Sequence, residues 1–425
     1  MDKLVIEGGH RLNGKLQIGG AKNAALPILF ASALTDDECV LENVPDLSDI
    51  TTTNRLLSLM GIDVHPDLKN HKVVVQAKNV TNFEAPYDLV RTMRASVLIL
   101  GPLLARFGKA KVSLPGGCSI GARPVNLHLM GFEKLGTRIK IEQGYIFAEA
   151  DGLKGADITF DQVSVGATEN VMMAATLAKG KTVLRNCAQE PEIDDLANFL
   201  NSCGAKVTGA GTPQIAIEGV EKLYGCTHTV IADRIEAGTY LIAAAITGGE
   251  VELTHIPAYF LTALIDKLED CGFEVRIGDD TIKLITTSKS FKAQDISTLP
   301  FPGFPTDMQA QYMALMSICD GTSVITENIF ENRFMHVPEM MRLGADVTIQ
   351  GNTAIVRGLH SKGTGKLTGA TVMATDLRAS ACLVLAGLAA EGSTTVRRVY
   401  HLDRGYEKME IKLNQLGAKI LREDE

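Results

Sequence analysis

The chain has 425 residues, 45% hydrophobic and 22% charged, a balance that fits a globular protein of two or three domains and excludes a disordered or membrane-embedded one. A formal net charge of −8 argues against a general nucleic-acid binder, although a local cluster of Lys and Arg can still hold an anion. Eight cysteines without a C-x-x-C pair, and no H-E-x-x-H, speak against a disulfide framework and a zinc site.

The N-terminus, MDKLVIEGGH, lacks the charged-then-apolar pattern of a signal peptide, so the cytoplasm is the default location. The longest apolar stretches, near 95–105 and 380–390, fall short of the roughly 18 residues a membrane helix needs, so no membrane insertion is expected. The opening KLVIEGGHRLNGKLQIGGAKNAA reads as two short strands leading into a helix. Six helices then recur: NAALPILFASAL, RASVLILGPLLARFG, ATENVMMAATLAKG, EAGTYLIAAAITGG, MQAQYMALMSICDG and RASACLVLAGLAAEG. They are apolar nearly all round, and a helix without a polar face must be buried on every side.

A short strand follows each, such as KVSLPGG, TVLRNCA or EVELTHI, and then an amphipathic helix such as LANFLNSCG. That second helix ends each time in one phrase: MGIDV, LGTRI, CGAKV, CGFEV, LGADV and LGAKI. Its glycines stand at 61, 136, 204, 272, 344 and 417, which predicts six pseudo-repeats of about 70 residues in an α/β fold. The glycine reads as a helix C-cap and the β-branched residue beyond it as a strand start. Units of this length with wholly buried helices predict a closed globular arrangement rather than an open solenoid.

The sixth unit stops at LGAKILREDE without a closing strand. The opening of the chain resembles the ends of other units, such as QIAIEGVEKLYGCTHTVIADRIEAG. Residues 3–21 are therefore expected to supply the strands missing from the sixth unit. The expected domains are 22–232, with units one to three, and 1–21 plus 233–425, with units four to six.

Polar residues fall at repeat-equivalent places. The turns before the buried helices carry Lys22 and Asn23, Arg94, Glu169, Asp233, Arg234 and Glu236, Asp307, and Asp376 with Arg378. Near the starts of the amphipathic helices lie Cys118 and Arg123, Glu190, Arg333, and Asp403 with Arg404. Helix N-termini attract phosphate and carboxylate, so the basic members suggest a ligand with several negative groups. Taken singly, each carboxylate reads as a cap and each Arg as a surface ion pair; repeat symmetry weakens that reading for the set.

Cys118 sits in SLPGGCSIGARPVNLH, behind Gly116 and Gly117 and five residues before Arg123. Composition disfavours a disulfide or a metal ligand there; a reactive thiol and a plain turn residue both stay open. GTGKL lacks the remaining residues of a phosphate loop, and TGAGTPQ lacks the third glycine of a dinucleotide fingerprint and falls in a predicted hairpin.

LPGGCSIGARPVNLH, YDLVRTMRAS, FPTDMQAQ, ENRFMHVPEM, ATDLRASACLVLAG and YHLDRGYEKME together resemble the enolpyruvyl transferases, and among them the UDP-N-acetylglucosamine 1-carboxyvinyltransferases, from Lys3 to about Leu421. The resemblance implies a two-domain inside-out α/β barrel with the active site in the cleft between the domains. It implies transfer of enolpyruvate from phosphoenolpyruvate to the 3-hydroxyl of UDP-N-acetylglucosamine with release of phosphate. That reaction proceeds by addition and elimination through a tetrahedral ketal, needs no cofactor or metal, and opens peptidoglycan synthesis. By motif, Cys118 is the acid that protonates the methylene carbon, forms a covalent adduct and is alkylated by the epoxide fosfomycin. Asp307 is the base near the sugar hydroxyl; Lys22, Arg123 and Arg404 hold phosphoenolpyruvate. Asn23, Arg94, the segment Arg123, Pro124, Val125, Asn126 and Leu127, the segment Gln162, Val163, Ser164 and Val165, and Ile329 with Arg333 serve nucleotide-sugar binding or closure. Asp376 and Arg378 line the cleft. The family often has Asp where this chain has Asn126. The related shikimate 3-phosphate transferase is the alternative, but the reactive-cysteine loop is not part of its pattern.

Overall fold

The computed structural model describes residues 2–114, 125–288, 290–362 and 366–424. They fall into two compact units. One, the terminal unit, holds the chain up to Ile18 and from Ala232 onward; the other, the central unit, lies between Gly19 and Ile231.

Among the described residues, six four-stranded sheets repeat one plan. In the third, Lys181–Arg185 is flanked by the parallel edge strand Asp157–Thr159 and the antiparallel Gln214–Glu218, with Lys206–Thr208 outermost. The strands alternate buried and exposed side chains, as in Gln214–Glu218, so one face packs inward and the other meets water. The buried helices behave as their composition demands. In Arg234–Thr247 every residue but Thr247 is buried, and Leu377–Ala389 is buried nearly throughout. In the terminal unit these two and Gln309–Met316 pack on one another. The unit is an inside-out α/β barrel, with helices at its centre and sheets around them.

The six repeat glycines all take positive φ, from 84° at Gly61 to 104° at Gly417. There the amphipathic helix must reverse into its strand through a left-handed residue, and any Cβ would strain it.

The strand Asp2–Glu7 lies between Ser393–Arg397 and Lys419–Asp424, antiparallel to both, and so completes the sixth sheet as expected. The expectation for the rest of residues 3–21 needs correction. Asn13–Gln17 leaves that sheet and pairs in parallel with Glu250–Thr254 of the fourth unit. The reason lies in where the chain crosses between units. Four sheets take their parallel edge strand from the segment before their own buried helix. The crossings after Ile18 and after Ile231 separate the segments before the first and fourth buried helices from those helices, so the first and fourth sheets exchange edge strands. By that exchange Thr227–Thr229, at the end of the third repeat, pairs with Glu38–Glu42 of the first. Each unit is thereby a closed ring of three.

Candidate active site

In the terminal unit, Asp307 stands in the single turn Thr306–Met308 that precedes Gln309–Met316. Arg333 Nη2 lies 2.7 Å and Arg378 Nε 3.2 Å from its Oδ1. The two arginines are buried, at 5% and 7% exposure, while the Asp307 side chain keeps 30%. Two guanidiniums set behind it thus hold a carboxylate that still faces solvent. Burial opposes the charge on Arg378, but attraction to Asp307 overrides it and raises its pKa above the ordinary guanidinium value.

Behind Arg378 is a buried polar knot. Arg378 Nη1 donates to the Tyr406 hydroxyl at 3.2 Å, and Gln311 Nε2 donates to it at 3.1 Å. Thr239 Oγ1 lies 2.9 Å from the same hydroxyl. Gln311 Nε2 also reaches the Asp307 carbonyl at 2.8 Å, so the knot holds both ends of the Asp307–Arg378 contact. Asp376 also acts locally, where its Oδ1 accepts from Arg378 N and Ala379 N and caps Leu377–Ala389.

Ile329 sits on a loop tied down by Glu327, whose Oε1 accepts from Ile329 N at 2.8 Å and whose Oε2 accepts from Thr306 Oγ1 at 2.9 Å. The loop is thereby joined to the residue next to Asp307. Half-buried Arg404 ends the turn Val399–Arg404. Its neighbour Asp403 is gripped by Arg422 at 2.7 Å, and Arg422 also bonds Glu410 and Asp2. Nearby His336 is buried, and burial lowers its pKa to about 4.

In the central unit, Lys22 opens Lys22–Ala31, and its Nζ lies 3.1 Å from Asp49 Oδ2 with both groups buried. Asn23, beside it, is half-buried. Arg94 opens the turn Arg94–Ile99, and Val125 caps Asn126–Lys134, where Asn126 is exposed and Leu127 half-buried. Asn170 joins these pieces: its Nδ2 donates to Val97 O at 2.9 Å and to His128 Nδ1 at 3.1 Å. An acceptor Nδ1 leaves the imidazole proton on Nε2. Burial first, and the Arg94 charge second, lower the His128 pKa to about 3. Gln162 is exposed, Val163 and Val165 are half-buried, and Ser164 Oγ caps Val165–Ala175 by accepting from Ala167 N. Glu169 is fully buried, and desolvation, then Glu192 and Glu190, raise its pKa well above the carboxylate range. Cys118, Arg123 and Pro124 lie outside the described residues.

The structure therefore brings Asp307, Arg333 and Arg378 together, with Asp376 and Ile329 tied to the same surroundings. Sequence reasoning missed Asp49, Tyr406, Gln311 and the His128–Asn170 pair. Tyr406 carried the one available signal, since it lies two residues past Arg404 in YHLDRGYEKME. Among the described residues, no three or more His, Cys, Asp or Glu side chains are placed to hold a metal ion. No described helix is long and apolar enough to cross a membrane.

Comparison with known proteins gives three findings. Residues 6–413 match the family model described as EPSP synthase (3-phosphoshikimate 1-carboxyvinyltransferase). A curated relative from Pseudoalteromonas atlantica, named UDP-N-acetylglucosamine 1-carboxyvinyltransferase, is 57% identical over 99% of this chain and 100% of its own length. Among solved structures, the enolpyruvyl transferase NikO from Streptomyces tendae superposes with a TM-score of 0.87 at 26% identity, over 99% of this chain and 98% of that one. EPSP synthase from Acinetobacter baumannii superposes with a TM-score of 0.76 at 20% identity, covering 100% of both chains, and speaks for the fold alone.

Proposed function

The chain belongs to the carboxyvinyl (enolpyruvyl) transferase family, and from that premise we propose that it moves the enolpyruvyl group of phosphoenolpyruvate onto the 3-hydroxyl of UDP-N-acetylglucosamine. Phosphate leaves, and the product enters peptidoglycan synthesis in the cytoplasm. One observation favours this acceptor over shikimate 3-phosphate: the relative named UDP-N-acetylglucosamine 1-carboxyvinyltransferase is 57% identical over its full length.

The chemistry needs a base at the hydroxyl, an acid at the methylene carbon and cations for phosphate and carboxylate. Asp307 takes the proton from the sugar 3-hydroxyl. Its solvent-facing carboxylate, fixed by Arg333 and Arg378, supports that role. As the oxygen attacks C2 of the enolpyruvate, Cys118 donates a proton to C3, giving a tetrahedral phospholactoyl ketal. Loss of a proton from C3 then expels phosphate and restores the double bond. Lys22, Arg123 and Arg404 neutralise the phosphate and carboxylate through addition and elimination. Asn23, Arg94, Pro124, Val125, Asn126, Leu127, Gln162, Val163, Ser164, Val165, Ile329 and Arg333 serve nucleotide-sugar binding or closure, with Asp376 and Arg378 lining the site.

A phosphate-release assay with phosphoenolpyruvate and either UDP-N-acetylglucosamine or shikimate 3-phosphate decides between acceptors. Release that depends on the UDP-sugar is the expected result. Release with shikimate 3-phosphate alone would overturn the assignment.

A further inference from the structure

Three cysteines far apart in sequence meet in the central unit, and none of them is among the residues assigned above. Cys39 lies in Glu38–Glu42, Cys203 closes Pro191–Ser202, and Cys226 directly precedes Thr227–Thr229. The parallel register pairs Thr227 with Val40, which sets Cys226 beside Cys39. Val40 N donates to Cys226 O at 2.9 Å, and Tyr224 N donates to Cys203 O at 2.8 Å. These backbone bonds hold both flanks of the contact, in which Cys203 Sγ lies 3.3 Å from Cys226 Sγ. Cys39 and Cys203 are buried, whereas Cys226 is partly exposed, so the cluster reaches the surface at one residue.

We propose that Cys203 and Cys226 form an oxidative modification site, closing to a reversible disulfide when the protein meets a hydroperoxide. The plain alternative is that these thiols only pack as small apolar groups. Two features argue past it: a sulfur–sulfur contact held by backbone bonds on both sides, and a partly exposed residue, Cys226, at one end of it. The thiols also share their hydrogen bonds. Donation from Cys203 and Cys226 draws the Cys39 pKa down, and the same sharing pushes that of Cys203 up.

The chemistry balances in two steps. Cys226 Sγ attacks a peroxide oxygen, the O–O bond breaks, and the departing oxygen leaves as water or an alcohol, so that Cys226 becomes a sulfenic acid. Cys203 Sγ then attacks that sulfur, the S–S bond forms, the S–O bond breaks, and hydroxide leaves as water with the Cys203 proton. Two thiols supply the two electrons that reduce the peroxide. The sulfurs must close from 3.3 Å to about 2.05 Å, a movement of side-chain scale. The product staples the ring-closing strand to the end of Pro191–Ser202.

The test treats the full-length protein with hydrogen peroxide, alkylates the remaining thiols, and maps peptides without reduction. The expected result is a linked pair joining Cys203 to Cys226, two of the eight thiols lost to it, and their recovery with dithiothreitol. Oxidation should raise the melting temperature, and Cys226→Ser should abolish both the link and the rise while Cys39→Ser keeps the link. Cys226 carried to sulfinic acid beside a still-reduced Cys203 would overturn the proposal. So would a Cys39–Cys226 link, or a link seen only in denaturant. Because the unsubstituted protein decides these outcomes, a variant that fails to fold does not rescue the idea. Any reaction at Cys118 appears on a separate peptide.

Discussion

Tyr406→Phe removes a single oxygen at the centre of the terminal unit. Its cost follows from what each neighbour keeps. Gln311 Nε2 retains the Asp307 carbonyl at 2.8 Å and Thr239 Oγ1 at 3.2 Å, and Thr239 Oγ1 still donates to Ile235 O at 2.7 Å. Arg378 fares worse. At 7% exposure its Nη1 loses the acceptor 3.2 Å away, and a hydrogen bond from a buried charged donor contributes about 1.5–3 kcal/mol. A loss of about 2 kcal/mol should lower the melting temperature by about 4–8 °C for a unit of roughly 200 residues. Arg378 is then oriented mainly by Asp307, which keeps Arg333 at 2.7 Å, so the carboxylate shifts without being released. Turnover should fall about tenfold, equivalent to about 1.4 kcal/mol, with KM for the UDP-sugar little changed. Calorimetry and phosphate release measured well below the melting point check both numbers. An unchanged melting temperature would refute the reasoning, as would a loss of turnover equal to that of Asp307→Ala.

Asp307→Ala should lower turnover by roughly 10²–10⁴-fold, the range for a positioned acid or base. It should also lower the melting temperature, because Arg333 and Arg378 lose their shared anion; near-normal turnover at saturating substrate would make Asp376 the next candidate base. Lys22→Ala should cost on the order of 10²–10³-fold and raise KM for phosphoenolpyruvate more than KM for the UDP-sugar, which steady-state kinetics would show. Stability should fall on acidification through His128. Its folded pKa of about 3 lies below the ordinary histidine value of 6.5, so between these the unfolded chain binds a proton that the folded one refuses. By pH 5 that loss reaches about 2 kcal/mol. Melting curves from pH 7 to 5 should be less steep in pH for His128→Gln; equal slopes would count against a buried neutral imidazole.

The parts of the fold that were legible are those written in local chemistry. Each repeat glycine follows an amphipathic stretch, so its positive φ could be read in advance, and the likeness of KLVIEGG to other unit ends placed Asp2–Glu7 in the sixth sheet. Asn13–Gln17 escaped because four of its five residues are exposed; an edge strand with so little buried surface carries no mark of the strand it joins. At the site, helix starts located Asp307, Arg333 and Arg378 singly. Nothing local says that both arginines meet the same carboxylate oxygen. Tyr406 looked like core because it is core, at 1% exposure, and its role resides in one hydroxyl that periodicity cannot see. Asp376 met both descriptions at once, as a helix cap and as a neighbour of the charged cluster.

The placement of Asp2–Glu7 between Ser393–Arg397 and Lys419–Asp424 also sets an order of assembly during synthesis. This strand leaves the ribosome long before the two strands it pairs with. The central unit can close its ring as soon as Thr227–Thr229 emerges, whereas the sixth sheet stays incomplete until Lys419–Asp424 emerges. Meanwhile the nascent strand exposes two unpaired edges around Leu4, Val5 and Ile6, a template for wrong pairing. Asp2, Lys3 and Glu7 flank that apolar run with charge, as gatekeepers do. Asp2 and Asp424 are register partners, so a short peptide could join them. A circular permutant linked there and opened between Ile231 and Ala232 would make the terminal unit one continuous stretch of chain, and its folding would no longer wait on the final strand.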